Sequence, residues 1–499
     1  MDGGPRRREG RGLLETGVPN LDAVLGGGIR RGAIAMVVGA PGAGKTILAQ
    51  QIAFHQARAG GNVLYLTGYS ETHDKLIEYD APMTFFDVDL VGKKVQILSL
   101  AELMENGAEG TEDAIVDAAR THQAVLVVLD GFASMRRLLP TASAAARFVY
   151  SLGAKLAFLG VTMLVAVEGT VDDPAHHGEL TVSDVVLALR EVRQGTWARR
   201  LLHVVKVRGA RPLNGIHPFT ISDDGIHVYP RFESVVPVSQ AHWQTGRAGF
   251  GIPDLDERLG GGLTVGTATL VAGSPGTGKT LLGLHSLVEG ARLGEPGLFV
   301  GFLESEEQLR AKARTFGLDL AGAEQAGLVR LMVFPGYDVN ADQVAEELLA
   351  DVEARGVRRL VVDSSTELER AIFVDERKPD FLAALVNYVR GHAVTGVMMM
   401  DVPKIIGSEL DLTGTPLAVF AENLVLLRQV EYRGEMRRVL AVLKMRFSRH
   451  DSRIVEYTIE DDHGIRLIGD GLSAEGLLTG LARSIEADAA RARRRSRSS

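Results

Sequence analysis

The chain has 499 residues, 24% charged and 45% hydrophobic, which is typical of a globular protein with about two to four domains. Its net charge of −8 argues against a general affinity for nucleic acid or anionic lipid. It has no cysteine, which excludes disulfides and thiolate metal sites and favours the cytoplasm, and no apolar run approaches the ~20 residues of a membrane-spanning helix.

Residues 1–12 are rich in arginine and no apolar stretch follows them, so we predict a flexible N-terminal segment and no secretory signal. A strand-like run over 33–38 then leads into a glycine-rich loop, and a helix-like run follows over 47–57. The loop fits G-x-x-x-x-G-K-[ST], in which main-chain N–H groups and a lysine hold nucleotide phosphates. Its residues are Gly39, Ala40, Pro41, Gly42, Ala43, Gly44, Lys45 and Thr46.

Acidic residues follow the next two strand-like runs, 62–67 and 124–130. We predict that Asp130, at the end of the second run, holds Mg²⁺ together with Thr46, although such an aspartate can also form a cap or turn. Glu71 follows the first run and is the candidate base that activates water, the alternative being a surface glutamate at a helix start. We expect the strand before Glu71 to lie beside the strand before the loop.

Two cations occur late in this half, on a strand-like segment. Lys206 and Arg208 could complete the site of a neighbouring subunit, or they could be alternate charges on an exposed strand. Residues 233–248 follow, with few structural signals, and are predicted to be a linker.

The second half repeats these features in the same order. Residues 250–256 match 16–22, and both matches continue through three glycines into the phosphate-loop pattern. One match could be an ordinary glycine turn, whereas two matches at equivalent positions of a repeat indicate phosphate binding. The second loop consists of Gly273, Ser274, Pro275, Gly276, Thr277, Gly278, Lys279 and Thr280.

The remaining candidate site residues recur as well. Asp363 is predicted to hold Mg²⁺ with Thr280, and Glu304 to activate water after a strand that we again expect beside the loop strand. Lys444 and Arg446 repeat the pair of late cations, which favours a function for both pairs.

The repeat predicts an α/β fold with two tandem P-loop domains, 13–232 and 249–471. Each would have a mostly parallel sheet flanked by helices, because short continuous apolar strands alternate with helix-like segments. The arginine-rich tail, 472–499, is predicted to be disordered and solvated, although such a run can also bind nucleic acid or an acidic partner.

Several stretches make the chain resemble the KaiC family of RecA-like ATPases, known from circadian clocks. The most specific is LLRQVEYRGEM over 426–436, followed by Lys444-Met445-Arg446 and His450-Asp451. In the first half the corresponding stretches are 206–209 (KVRG) and 218–221 (PFTI). The resemblance covers residues 13–471 in the order of the family.

The resemblance implies ATP and Mg²⁺ as ligands, slow ATP hydrolysis and a two-tiered homohexamer. ATP would lie between neighbouring subunits, and Lys206 and Arg208 would serve the first tier across the subunit boundary, as Lys444 and Arg446 would serve the second. The family also implies a signalling partner, which the sequence does not name.

Three departures from the family pattern change these expectations. The family has two adjacent glutamates where this chain has Ser70-Glu71 and Leu303-Glu304, so we expect very slow turnover. The serine-threonine pair that accepts phosphate in the clock proteins aligns with Ala418-Val419, which have no hydroxyl, although Thr413 and Thr415 lie nearby. The arginine-rich tail does not support binding of the clock partner.

The leading hypothesis is therefore a KaiC-like ring ATPase with a regulatory role. The alternatives are a Ser/Thr autokinase, a DNA-associated RecA-like motor and a ring that binds ATP, barely hydrolyses it and acts as a scaffold. The acidic net charge argues against the motor, because nucleic-acid binding needs a basic surface.

Overall fold

A computed structural model places the chain in two compact units, which divide between Val235 and Val236. The structure describes residues 12–68, 81–104, 107–136, 139, 141–194, 197–236, 245–402, 415–432, 434–469, 474–475 and 483–484. Glu71, Ser70, Thr413 and nearly all of the tail lie outside the described residues. The domain limits 13–232 and 249–471 stay a prediction.

The first unit contains eleven strands and eight α-helices among its described residues. The strands are β1 (Leu13–Leu14), β2 (Ile29–Arg30), β3 (Ile34–Gly39), β4 (Asn62–Thr67), β5 (Val95–Ser99), β6 (Ala124–Asp130), β7 (Thr162–Glu168), β8 (Val185–Gln194), β9 (Trp197–Val207), β10 (Ile216–Ser222) and β11 (Gly225–Val228). The helices are α1 (Leu21–Leu25), α2 (Lys45–Arg58), α3 (Leu100–Leu103), α4 (Gly107–Thr121), α5 (Phe132–Arg136), α6 (Ala142–Phe158), α7 (His177–Val182) and α8 (Phe232–Val235).

Nine of these strands form one sheet in the order β11-β10-β9-β8-β3-β7-β6-β4-β5. The strands from β8 to β5 run parallel, whereas β9, β10 and β11 continue the sheet as antiparallel neighbours. The phosphate-loop strand β3 is therefore central, with neighbours on both sides. Apolar side chains cover both faces of this sheet.

The second unit repeats this arrangement. Its strands are β12 (Arg247–Ala248), β13 (Leu263–Thr264), β14 (Ala268–Gly273), β15 (Gly297–Gly301), β16 (Val329–Val333), β17 (Arg359–Asp363), β18 (Thr395–Asp401), β19 (Asn423–Tyr432), β20 (Glu435–Met445), β21 (Val455–Glu460), β22 (Gly464–Ile468), β23 (Ala474–Glu475) and β24 (Arg483–Ser484). Its helices are α9 (Pro253–Arg258), α10 (Lys279–Arg292), α11 (Glu306–Thr315), α12 (Leu320–Gln325), α13 (Ala341–Arg355), α14 (Ser365–Ala371), α15 (Lys378–Gly391) and α16 (Pro416–Phe420).

The second sheet also has nine strands, in the order β16-β15-β17-β18-β14-β19-β20-β21-β22. It is parallel from β16 to β19 and antiparallel beyond, so the predicted class of two mostly parallel sheets flanked by helices is confirmed. Helix α10 lies against this sheet, and its Leu284 and Leu287 are fully buried. Each such side chain stabilises the fold by about 1.5–3 kcal/mol.

The expectation about the strands before the two glutamates is wrong. Strand β4 lies between β5 and β6, and β15 lies between β16 and β17, so two strands separate each of them from its phosphate-loop strand. The chain crosses over the sheet after each loop helix instead of pairing with the nearest strand. Order along a sequence does not determine lateral order in a sheet when crossover helices connect the strands.

Candidate nucleotide sites

The second phosphate loop joins the end of β14 to the start of α10. Gly276 and Gly278 have φ angles of 78° and 86°, which a side chain would strain, and a Cβ on Gly278 would meet Ile459 at 2.8 Å. Among the described residues no side chain caps the start of α10. Its first N–H groups and the positive end of its dipole therefore remain available to an anion.

Lys279 lies folded back over this loop. Its Nζ donates to the carbonyl oxygens of Gly273 at 2.9 Å and Ser274 at 3.1 Å. It also forms an ion pair of 2.8 Å with Oδ1 of Asp401, and the lysine side chain is only 7% exposed. The structure thus places the predicted lysine in the loop and adds a carboxylate that we did not predict.

Thr280, in the first turn of α10, meets Asp363 at the carboxyl end of β17, which β18 separates from the loop strand β14. The Thr280 hydroxyl donates to Oδ2 of Asp363 over 2.6 Å, although the two residues are far apart in sequence. Burial raises the pKa of Asp363, and the hydrogen bond from Thr280 opposes this rise. A hydroxyl and a carboxylate side by side at a phosphate loop are the pair that holds Mg²⁺ in P-loop proteins.

Glu304 follows β15 and pairs with Lys312 of the next helix. The negative charge of Glu304 still contributes to the raised pKa of Asp363, so the glutamate lies near the proposed Mg²⁺ pair. Leu303, which stands where we expected the first of two adjacent glutamates, is largely exposed to solvent. A base role for Glu304 would require its carboxylate to leave Lys312.

The first loop has the same backbone and different neighbours. Lys45 Nζ donates to the carbonyl oxygens of Gly39 and Ala40, both at 2.9 Å. Asp130 accepts hydrogen bonds from Thr46 and from the Tyr65 hydroxyl, the latter at 2.8 Å. Burial raises the pKa of Asp130 and these two donors counteract it. The structure therefore brings Thr46 and Asp130 together as predicted.

Two carboxylates at these sites were not predicted. Glu168 ends β7 opposite Gly39, and Asp401 ends β18 opposite Gly273. Both are acidic residues that close an apolar strand, as Asp130 and Asp363 do, and this recurring pattern could have identified them. Their charges reach the loop lysines: Glu168 acts on Lys45 and Asp401 binds Lys279 directly.

Two tyrosines were also missed, and they occupy different places in the two units. Tyr65 in β4 binds Asp130, while its counterpart in β15 is Phe299. Conversely, the Tyr457 hydroxyl donates to the carbonyl oxygen of Thr277 at 2.5 Å, while its counterpart in β10 is Phe219. Among the described residues, Tyr65 thus supports the aspartate in the first unit and Tyr457 supports the loop in the second.

The late cations do not lie at the phosphate loop of their own unit. Lys206 pairs with Val186 at the amino end of β8, whereas the loop begins opposite Leu189 further along that strand. Lys206 Nζ donates to the carbonyl oxygen of Thr181 at 2.9 Å, and Arg208 donates to the same oxygen at 3.2 Å. These cations therefore occupy the end of the sheet opposite the first loop.

Lys444 and Arg446 repeat this arrangement in the second unit. Lys444 lies opposite Leu424, at the amino end of β19, and donates to the carbonyl oxygen of Ala421 at 2.6 Å. Arg446 donates to the carbonyl oxygen of Val419 at 3.3 Å. All four cations are oriented by carbonyl oxygens at the end of a short helix.

Comparison with known proteins assigns the chain to a family. A family model described as the KaiC ATPase matches residues 14–233 and again 248–471. The chain belongs to the KaiC ATPase family. Both sheets, both phosphate loops and the paired late cations fall inside the two matched segments.

Curated KaiC proteins match nearly the whole chain. The circadian clock oscillator protein KaiC of Rippkaea orientalis is 28% identical, over 90% of this chain and 87% of its own length. KaiC of Picosynechococcus is 29% identical, over 90% and 88%. KaiC 1 of Synechocystis is 29% identical, over 91% and 89%. The predicted family resemblance is thereby confirmed.

The residues of this KaiC-family chain fit Mg²⁺ held mainly by a nucleotide. No cluster of three histidines or carboxylates suited to a metal occurs within the described ranges. Mg²⁺ commonly takes one or two carboxylates, several waters and phosphate oxygens, so a single strand-end aspartate beside a threonine suffices. Nor does any helix in the part of the chain that the structure describes have the length and apolarity to cross a membrane.

Proposed function

We propose that this chain is a slow, two-site ATPase of the KaiC type that acts as a nucleotide-dependent regulatory ring. The observation that carries the proposal is the 2.6 Å hydrogen bond between Thr280 and Asp363. It lies beside Lys279, at the uncapped start of α10. The Thr46–Asp130 pair at the first loop supports the same chemistry there.

The residues would divide the reaction among them. Main-chain N–H groups of residues 39–46 and 273–280 bind the phosphate tail, and Lys45 and Lys279 neutralise its outer charges. Thr46 with Asp130, and Thr280 with Asp363, would hold Mg²⁺, which when bound withdraws charge from the phosphate oxygens.

Water activation is the weakest part of this machinery. Glu304 is the described carboxylate that could accept a proton from water, and Glu71 is proposed for the same role in the first unit. Because Glu304 pairs with Lys312 and Leu303 has no proton-accepting group, we expect slow turnover at the second site.

The placement of the late cations supports assembly into a ring. Lys206, Arg208, Lys444 and Arg446 lie at the sheet end away from the loop of their own unit, and in a ring they would serve the loop of a neighbouring copy. A cation supplied in this way can accelerate phosphoryl transfer about 10³–10⁵-fold. We propose a cytoplasmic homohexamer with an unidentified signalling partner.

Two measurements test the proposal. With saturating ATP and Mg²⁺, native mass spectrometry should detect particles of six chains, and a monomer under these conditions would rule out the ring. Glu304→Gln should slow phosphate release from the second site at least about 10-fold, because a general base contributes about 10²–10⁴ in rate. Glu306→Gln, in the first turn of the following helix, is the matched control. Unchanged release by Glu304→Gln would exclude Glu304 as the base.

Autophosphorylation at the usual family position is not part of this proposal. Val419 and Ala418 offer Arg446 and Lys444 only their main-chain carbonyl oxygens. Neither side chain has a hydroxyl that could accept a phosphoryl group. Incubation with radiolabelled ATP followed by mass mapping should find no stoichiometric label in this segment.

A further inference from the structure

The lysine of the second loop is held by two carbonyl oxygens and one carboxylate. Lys279 Nζ donates hydrogen bonds to the carbonyl oxygens of Gly273 at 2.9 Å and Ser274 at 3.1 Å. It also forms an ion pair with Oδ1 of Asp401 at 2.8 Å. A phosphate that approaches this ammonium group therefore meets a carboxylate that already neutralises its charge.

Asp401 is the partner of Lys279 that can leave when a phosphate binds. The two carbonyl oxygens belong to the loop itself, and that of Gly273 is also bonded by the Val402 N–H at 3.1 Å, which ties it to the sheet. The Asp401 side chain is 36% exposed, so water can solvate the carboxylate when it leaves. A carboxylate that stays would also repel the incoming phosphates.

The first loop has no such competitor among the described residues. Lys45 donates to two carbonyl oxygens, and no described carboxylate lies within ion-pair distance of its Nζ. Glu168 occupies the position that corresponds to Asp401, yet it is exposed and only its long-range charge reaches Lys45. Among the residues that the structure describes, no carboxylate therefore opposes the approach of a phosphate to Lys45.

We propose that Asp401 competes with nucleotide phosphate for Lys279 and so sets the affinity of the second site below that of the first. Asp401 thus determines the order in which the two sites fill as nucleotide concentration rises. This inference rests on the proposed nucleotide site at the second loop.

The test isolates each site in the full chain. In a Lys45→Ala background, Asp401→Asn should tighten binding of a fluorescent ATP analogue with Mg²⁺ about 5–10-fold, because the lysine no longer has to exchange a charged partner. Asp401→Ser should act in the same direction. In a Lys279→Ala background, Glu168→Gln should change the affinity of the first site less than about twofold.

Controls separate the possible outcomes. Asp375→Asn removes one exposed negative charge that pairs with Lys378 and should leave both affinities unchanged. Unchanged or weaker binding in both Asp401 variants would overturn the inference while leaving the nucleotide site intact. If neither the Lys45→Ala protein nor its Asp401→Asn derivative binds the ATP analogue, the second loop is not a nucleotide site and the proposed function is wrong there.

Discussion

Lys45 and Lys279 occupy the same position in two copies of one fold, and their surroundings differ. Lys279 is buried and ion-paired with Asp401, whereas Lys45 is partly exposed and, within the described part of the chain, bonds only carbonyl oxygens. Duplication has therefore conserved the backbone cradle while the side chains around it have diverged. Two phosphate loops with the same sequence motif can therefore differ in nucleotide affinity and in stability.

A second difference lies on the helices that follow the loops. Gln51 of α2 accepts the Ile226 N–H at 2.8 Å and donates to the Ile226 carbonyl oxygen at 3.2 Å. In the same place of the second unit, His285 of α10 accepts the Ile465 N–H at 3.3 Å. An amide has been exchanged for a titratable ring at one packing position.

The largest expected effect comes from removing each lysine in turn. Lys45→Ala and Lys279→Ala should each weaken nucleotide binding at their own site at least about 10-fold, because a charge-assisted bond from the lysine to phosphate is worth about 1.5–3 kcal/mol. Each variant should retain one nucleotide per chain at saturation, measured by equilibrium dialysis. Two nucleotides bound to either variant would contradict this prediction. Lys378→Ala is the matched surface control.

The next effect concerns acid stability and separates the two units. Burial lowers the pKa of His285 from 6.5 to about 4, so the folded state favours the neutral ring. Between pH 6.5 and about pH 4, this histidine is protonated in the unfolded chain and neutral in the folded chain. The contribution of the neutral ring to the free energy of unfolding is therefore fully present above pH 6.5, and it is lost progressively as the pH falls towards 4. The loss amounts to up to about 3 kcal/mol.

Exchanging His285 and Gln51 between the two units should move the acid sensitivity from the second unit to the first. His285→Gln should flatten the dependence of the second unit's unfolding free energy on pH between 6.5 and 4, because glutamine binds no proton. Gln51→His should introduce the same acid sensitivity into the first unit. Denaturant titrations at several pH values measure both, and identical pH profiles for His285→Gln and the parent protein would refute the assignment.

The smallest effect distinguishes the two tyrosines. Tyr65→Phe removes one hydrogen bond to the Asp130 carboxylate and should weaken Mg²⁺ binding at the first site about fivefold, since a typical intramolecular hydrogen bond contributes about 1 kcal/mol. Tyr457→Phe should leave that site unchanged and instead loosen the second loop at Thr277. Mg²⁺ titrations of nucleotide binding in single-site backgrounds test both. Equal responses at both sites would show that the tyrosines are not site-specific.

Motifs with local chemistry were predictable from the sequence. The two loops, the helices after them and the strands that end at Asp130 and Asp363 could all be read from short patterns, because strand, turn and helix follow one another without interruption. The structure brings Thr280 to Asp363 as the pattern implied.

Contacts that depend on lateral strand order could not be read in this way. Asp401 reaches Lys279 only because β18 lies beside β14, and the sequence does not contain that adjacency. The same limitation led us to place the strands before Glu71 and Glu304 beside the loop strands. The difference between Tyr65 and its counterpart Phe299 can be interpreted only when the contact between Tyr65 and Asp130 is known.

The position of the late cations has a consequence for how copies of this chain can associate. A contact that carries Lys206 of one copy to the phosphate loop of another joins two different surfaces, since the two features lie at opposite ends of the strands. Such heterologous contacts have a direction, and repeating them yields either a closed circle or an open filament. The angle between successive copies would then decide which of these forms, and any mutation that alters this angle could convert one into the other.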